Sequence, residues 1–286
     1  MTTVETRYEP DRTRLGEILS GQPSYRIDQL WRGLYDEGLE IEQITTLPKD
    51  LRRELATLLP SALRAHTDLV SEAGETRKWL WELRDGDSIE TVLMHYPGRS
   101  TVCVSSQAGC AMACGFCATG QEGFRRHLTT GEIVEQVIRA REAAKPRRLS
   151  NVVFMGMGEP LANYRNVAPV LDLLVSDLAF GLSRRRVTVS TSGLVPLMEK
   201  LGNECNVALA VSLHAPNDEL RDAIVPINKL HPIAALLEAC WSYAAKHANR
   251  FVTFEYVMLR GVNDSLAHAD QLARLLKGKP AKINLI

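Results

Sequence analysis

Along the first part of the chain apolar positions repeat every three or four residues. Ile27, Leu30, Trp31 and Leu34 line one side of a segment that predicts an amphipathic helix over Tyr25–Gly38. The same period, interrupted by Pro48 and Pro60, predicts helices over Leu51–Leu58 and Ser61–Glu72. The period then drops to two. Trp79–Leu83 and Ile89–His95 alternate on either side of Asp85-Gly86-Asp87, which predicts a β-hairpin. From Thr101 onward short apolar runs and helical patterns take turns. Strands are expected over Thr101–Val104, Asn151–Phe154, Arg186–Ser190, Val207–Leu213, Phe251–Met258 and Lys282–Ile286. Helices are expected between them, over Glu132–Lys145, Asn166–Leu174, Val195–Leu201, Ile233–Lys246 and Leu266–Leu276. Thr129 with Glu132 three residues on forms a capping box that opens the first of these helices.

Strict alternation of strand and helix implies a parallel sheet, and six strands fall short of the eight of a full barrel. The expected fold is α/β, a partial (β/α)6 barrel preceded by a small helical domain and a hairpin. The expected division is residues 1–75 helical and accessory, 76–99 hairpin, and 100–286 barrel. No internal repeat or low-complexity tract interrupts it.

Composition adds mostly exclusions. With 45% hydrophobic and 24% charged residues in 286, the chain reads as an ordinary globular protein. Glu5, Arg7, Glu9, Asp11, Arg12 and Arg14 rule out a secretory apolar segment, and no later run reaches membrane-spanning length, so a cytoplasmic protein is expected. Thirty-four basic and thirty-four acidic residues cancel, so net charge gives no argument for nucleic acid. Three basic clusters stand out: Arg125-Arg126, Lys145 with Arg147 and Arg148, and Arg184 to Arg186. Singly, each reads as a solvated helix end or loop. Nothing demands more than a monomer.

Cysteine placement changes the picture. Four of the six cysteines (103, 110, 114, 117, 205 and 240) fall within fifteen residues. Cys110-Ala-Met-Ala-Cys114-Gly-Phe-Cys117 is a C-x3-C-x2-C triplet just after the first barrel strand. Three thiolates so spaced grip three irons of a 4Fe–4S cube and leave the fourth iron without a protein ligand. The amino and carboxylate groups of S-adenosyl-L-methionine (SAM) can chelate such an iron, and one electron then breaks a C–S bond. The small residues of Ala118-Thr119-Gly120 let backbone wrap a bulky cofactor. A zinc site with Cys103 as fourth thiolate is the alternative, although structural zinc favours well-separated C-x2-C knuckles.

Other candidates lie at predicted strand ends, where a barrel binds ligands. Gly156-Met-Gly158-Glu159-Pro160 lacks the spacing of a dinucleotide loop and reads either as a strand-exit turn or as a flat backbone platform. Ser190 closes the third strand, and Ser212-Leu213-His214 closes the fourth. Cys103, by spacing alone, is a buried strand cysteine. Glu90, by composition alone, is a surface carboxylate. Cys205 and Cys240 match no motif and read as structural.

The triplet, with Phe116 before its last cysteine, resembles the signature of the radical SAM superfamily. The run from Cys103 to Gly120 resembles more narrowly the RlmN family, which methylates carbon 2 of an adenine in 23S rRNA and in certain tRNAs. The likeness extends through Glu90-Thr-Val-Leu, Met155-Gly-Met-Gly-Glu159-Pro, Val189-Ser190-Thr-Ser-Gly193 and Val211-Ser212-Leu-His214-Ala. It implies a radical SAM-dependent RNA methyltransferase with Cys110, Cys114 and Cys117 on a 4Fe–4S cluster. Gly158, Glu159, Ser190, Ser212, Leu213 and His214 would bind SAM, with Glu159 accepting from its ammonium group. Glu90 would exchange a proton near the substrate adenine, and Cys103 would resolve a covalent enzyme–RNA adduct and then enter a transient disulfide. A one-electron reductant such as flavodoxin is implied as partner. Phe124, Arg125 and Arg126 are positioned to meet RNA, although Arg126-His127-Leu128 departs from the family's Arg-Asn-Leu.

In the family a cysteine beyond the last strand carries the methyl group, taken from one SAM, before a second SAM generates the radical. The chain ends at Ile286 without that cysteine, so deficient methyl transfer is expected. The sister family Cfr, which acts on carbon 8, and a non-catalytic zinc-stabilised RNA-binding protein are the competing readings.

Overall fold

A computed structural model describes residues 5–246 and 251–286. Three short helices open the chain: α1 (Arg12–Ile18), α2 (Tyr25–Tyr35) and α3 (Lys49–Leu58). The antiparallel strands β1 (Leu63–Val70), β2 (Thr76–Leu83) and β3 (Ser88–Tyr96) follow, then β4 (Arg99–Cys103). A small clip comes next, with β5 (Gln107–Gly109), α4 (Ala118–Glu122) and β6 (Phe124–His127). The remainder alternates as α5 (Thr130–Ala144), β7 (Leu149–Phe154), α6 (Tyr164–Val175), β8 (Val187–Thr191), α7 (Val195–Glu204) and β9 (Ala208–Ser212). It closes with α8 (Asp218–Ile224), α9 (Ile233–Ala245), β10 (Val252–Tyr256), α10 (Leu266–Leu276) and β11 (Ala281–Leu285).

The strands form one nine-stranded sheet in the order β1-β2-β3-β4-β7-β8-β9-β10-β11. The six from β4 to β11 are parallel, which is the partial barrel the alternation predicts. One expectation fails. The stretch predicted as a helix over Ser61–Glu72 contains β1, which pairs antiparallel with β2 from Leu63↔Leu83 to Val70↔Arg77. In so short a segment the apolar spacing fits either period, and cross-strand pairing with Trp79 and Trp81 decides. The predicted hairpin is therefore the middle of a meander that runs on into the barrel sheet.

Sheet parity divides inside from outside. Val102, Val152, Phe154, Val187, Val189, Leu209, Val211 and Phe254 are buried beneath the helices, together with Val134, Val137, Val167, Leu171, Met198 and Leu236. On the opposite face Cys103, Val153, Thr188 and Ala208 stand side by side across four strands, none of them larger than valine. The N-terminal helices are tied to this body by specific bonds. Trp31 Nε1 donates to the Leu178 carbonyl at 2.6 Å, and Arg139 reaches Glu40 at 2.8 Å. Ala62 N–H donates to the buried Glu135 carboxylate at 2.8 Å.

Candidate active site

The cysteine triplet sits on the loop between β5 and α4, and the pairing of β5 with β6 clips the loop shut at its base. Cys110 N–H donates to the Gly123 carbonyl at 3.0 Å. Gly109, at φ 73°, has no alternative, because a side chain there would run into that same carbonyl. Gly115 N–H donates to Ile224 at 3.1 Å, anchoring the loop to the end of α8. All six cysteines are free thiols, and the three of the triplet are half-buried. Burial pushes the Cys114 thiol up to about 12, the charges of Cys110 and Cys117 add to this, and Arg221 opposes it. Burial also raises Cys110, with the Glu159 carboxylate contributing. The three thiols and Glu159 thus lie within electrostatic reach of one another. Among the described residues no three His, Cys, Asp or Glu side chains converge as ligands of a single ion. Three half-buried thiols on a glycine-bearing loop match in kind and number the donors that a 4Fe–4S cluster with one open iron would need, and in that sense the residues fit.

Beside the loop lies the turn after β7. Gly158 is at φ 98°, and a Cβ there would meet the Gln107 side chain at 2.5 Å, so this backbone packs where only glycine fits. Glu159 is buried. Its N–H donates to Gln107 at 2.8 Å, and its carboxylate accepts from Ser192 N–H at 2.7 Å, Ser192 Oγ at 2.8 Å and Leu161 N–H at 3.0 Å. Burial raises its pKa, while the bonds from Ser192 pull the other way.

Ser190 and Ser212 stand at the ends of β8 and β9, half-buried and facing the barrel interior. Beneath them is a residue the sequence did not single out. Arg221, on α8, is fully buried. Its guanidinium donates to the carbonyls of Ser192 at 2.7 Å, Ser212 at 2.9 Å and Leu213 at 3.1 Å, and to Asn228 at 2.8 Å. It therefore joins the ends of two adjacent strands, and burial brings its pKa down to about 10. His214 follows at φ 57°, in the left-handed region that a non-glycine residue enters at a cost. Its Nδ1 accepts from Val257 N–H at 3.1 Å, which leaves the proton on Nε2. The Phe116 ring of the cysteine loop lies edge-on at 4.7 Å. Burial, with the charge of Arg221, brings the imidazole down to about 4, so it is neutral at pH 7.

Register brings Glu90 and Cys103 to one face. Val92 pairs directly with Cys103, and Glu90, two residues before Val92, shares its side of the sheet. Glu90 pairs with Lys78 at 2.6 Å and remains partly exposed. Cys103 is packed so that burial raises its thiol to about 11. The disulfide implied for Cys103 is not formed. Arg125 and Arg126, expected to face RNA, are engaged within the chain. Arg125 pairs with Asp87, and Arg126 with Asp85 and Glu132, tying β6 to the β2–β3 turn. Phe124 beside them is exposed.

Sequence reasoning missed Arg221, Ser192 and Gln107. Ser192 lies inside the quoted Val189–Gly193 run, so the motif held its signal. Arg221 has none, because nothing in a helical pattern distinguishes a buried arginine from a solvated one.

Comparison with known proteins identifies the family. Residues 104–273 match the Radical SAM superfamily. The chain is 51% identical over 276 residues to the dual-specificity RNA methyltransferase RlmN of Anaeromyxobacter sp. (strain Fw109-5), covering 93% of this chain and 72% of that protein. It also superposes on the crystal structure of a radical SAM methyltransferase from Sphaerobacter thermophilus. That match has a TM-score of 0.94 and 46% identity, over 98% of this chain and 84% of the other.

Proposed function

Because the chain belongs to the radical SAM superfamily and, within it, to the RlmN family, we propose that it is an RNA methyltransferase that forms 2-methyladenosine in 23S rRNA and in tRNAs. The observation that carries the reading is the rim of the barrel, where three half-buried thiols and the buried Glu159 platform share one electrostatic environment. Cys110, Cys114 and Cys117 hold the cluster. When bound, a 4Fe–4S cluster supplies the electron that breaks a C–S bond of SAM.

The chain's own residues orient the cofactor. Glu159, already fixed by Ser192 and Leu161, offers its carboxylate to the SAM ammonium. Gly158 lets this turn pack onto Gln107 and so sets the position of Glu159, and Ser190, Ser212 and Leu213 supply strand-end polar groups. Neutral His214 offers Nε2–H, since Val257 holds the other ring nitrogen. On the inner face Glu90 accepts and returns a proton at the substrate base, its carboxylate steered by Lys78. Cys103 is held as a thiol by burial and serves in release of the product. A one-electron reductant such as flavodoxin, a cytoplasmic location and a monomeric state complete the reading; among the described residues no helix is long and apolar enough to cross a membrane.

The test is electron paramagnetic resonance of the anaerobically reconstituted, reduced protein with and without SAM, followed by nucleoside mass spectrometry of 23S rRNA and tRNA incubated with it. A 4Fe–4S signal that shifts with SAM is expected, and any methylated adenine that forms should be 2-methyladenosine. A zinc-loaded protein without that signal would overturn the radical chemistry, and 8-methyladenosine would move the chain to the Cfr reaction.

A further inference from the structure

At the opposite end of the parallel strands the structure opens into a cavity of about 900 Å³. Arg99 at the start of β4, Arg147 and Arg148 just before β7, and Arg186 just before β8 all line it. A smaller hollow of about 200 Å³ shares Arg147 and Arg148 and continues the groove past Lys145. Two of the three basic clusters legible in the sequence thus meet at one place.

These arginines differ from those of the Arg125-Arg126 cluster and of α5 in what they touch. Arg125, Arg126, Arg139 and Arg141 each pair with a carboxylate of the chain. Among the described residues Arg99, Arg147, Arg148 and Arg186 make no ion pair. Arg99 stacks on Tyr96 at 4.6 Å, and Arg186 reaches only the Asn151 amide oxygen at 3.3 Å. Glu75 is the one acid lining the cavity. The charges bear on a neighbour: burial, and then the charge of Arg147, lower the pKa of His95, with Glu75 opposing.

Four guanidinium groups around a concave opening, with one carboxylate among them, fit a ligand that carries several negative charges at intervals. Guanidinium forks match phosphate oxygens in a bidentate way. The strands are five or six residues long, so mouth and rim stand roughly 17–20 Å apart. A polyanion can bridge that span by its own backbone, whereas a protein donor docked at the mouth would sit at the wrong end for the cysteine loop. We propose that the mouth anchors the RNA backbone, holding phosphodiester groups remote from the base that reacts. This rests on the reading of the chain as an enzyme acting on RNA.

The test is fluorescence anisotropy of the reconstituted full chain with a labelled RNA stem-loop over a range of salt concentrations, comparing the wild type with R147E/R148E and R147K/R148K. Charge reversal is expected to weaken binding about tenfold or more at 0.1 M salt and to flatten the log–log salt slope by about 1–2. The lysine pair should lose less. Iron content, thermal unfolding and the SAM-dependent resonance signal should match the wild type, which separates loss of anchoring from misfolding. Unchanged affinity and slope in a folded R147E/R148E protein would overturn the proposal. So would a loss confined to binding of acidic flavodoxin, which would make the mouth a protein dock. A wild type that binds no RNA would sink this inference and the proposed function together.

Discussion

The two ends of the parallel sheet are built by opposite rules. At the carboxyl ends the framework is bonded within the chain: Glu159 has three donors, Arg221 has four acceptors, and Val257 occupies one nitrogen of His214. What remains free there are three thiols and a few strand-end polar atoms. At the amino ends four guanidinium groups stand around a cavity with no carboxylate bonded to them among the described residues. The rim is organised before any ligand arrives, which is what chemistry on a bound cofactor needs. The mouth is left for something outside the chain to complete. Arg125 and Arg126 show that a basic cluster in the sequence is not by itself a binding surface, because the fold spends them on Asp85, Asp87 and Glu132.

Substitutions at the two ends sharpen this contrast. The largest effect is expected from Cys114→Ser: iron per reconstituted chain should fall to near background by colorimetric analysis, while RNA binding through the mouth persists. Loss of RNA affinity in the same variant would mean the two ends are not independent. Arg221→Ala comes next. It leaves three strand-end carbonyls and Asn228 without their donor, and a destabilisation of about 3–5 kcal/mol is expected in urea unfolding, with weaker SAM binding. A change below about 1 kcal/mol would show that water replaces the guanidinium readily.

His214 gives a pH-dependent test. Its folded pKa of about 4 lies below the ordinary 6.5, so unfolding takes up a proton between those values. Its contribution is therefore complete above pH 6.5 and is lost as the pH falls toward 4, reaching about 3 kcal/mol. Unfolding free energies from pH 7 to 4 should fall more steeply for the wild type than for His214→Gln. Parallel curves would remove the buried neutral imidazole from the picture. The smallest effect is expected at Arg125, whose exposed pairing with Asp87 should be worth less than about 1 kcal/mol. Arg125→Ala should barely move the melting temperature, and a large drop would make the β6 clip more than a surface tie.

Much of the fold was legible because its signals are local. The parallel strands announce themselves as apolar runs, and the Thr129 capping box is present with Glu132 N–H donating to Thr129 Oγ1 at 3.2 Å and Thr129 N–H to the Glu132 carboxylate at 2.9 Å. The cysteine triplet was legible as spacing, whereas the Gly158-Glu159 turn read only as a strand exit or a backbone platform until the family resemblance was drawn. What stayed hidden was decided by distant partners. β1 is a strand because β2 lies beside it, Arg221 matters because two strands end above it, and Arg125 is occupied because a turn from another element supplies Asp87. A single sequence read without its contacts cannot tell a solvated arginine from a stapled one.

The turn between β3 and β4 has only two residues, Pro97 and Gly98, with Gly98 at φ 73° and Tyr96 facing Arg99 across it. This short connection fixes parity. Adding or deleting one residue in β3 between Glu90 and Val92 would turn the Glu90 carboxylate to the helix-covered side while leaving Cys103 where it is. A change of two residues would restore the side but move the carboxylate along the strand by about 7 Å. The geometry that puts this carboxylate and this thiol on one face of the sheet is therefore written as an even count along one strand, and insertions in homologous chains should avoid that segment or arrive there in pairs.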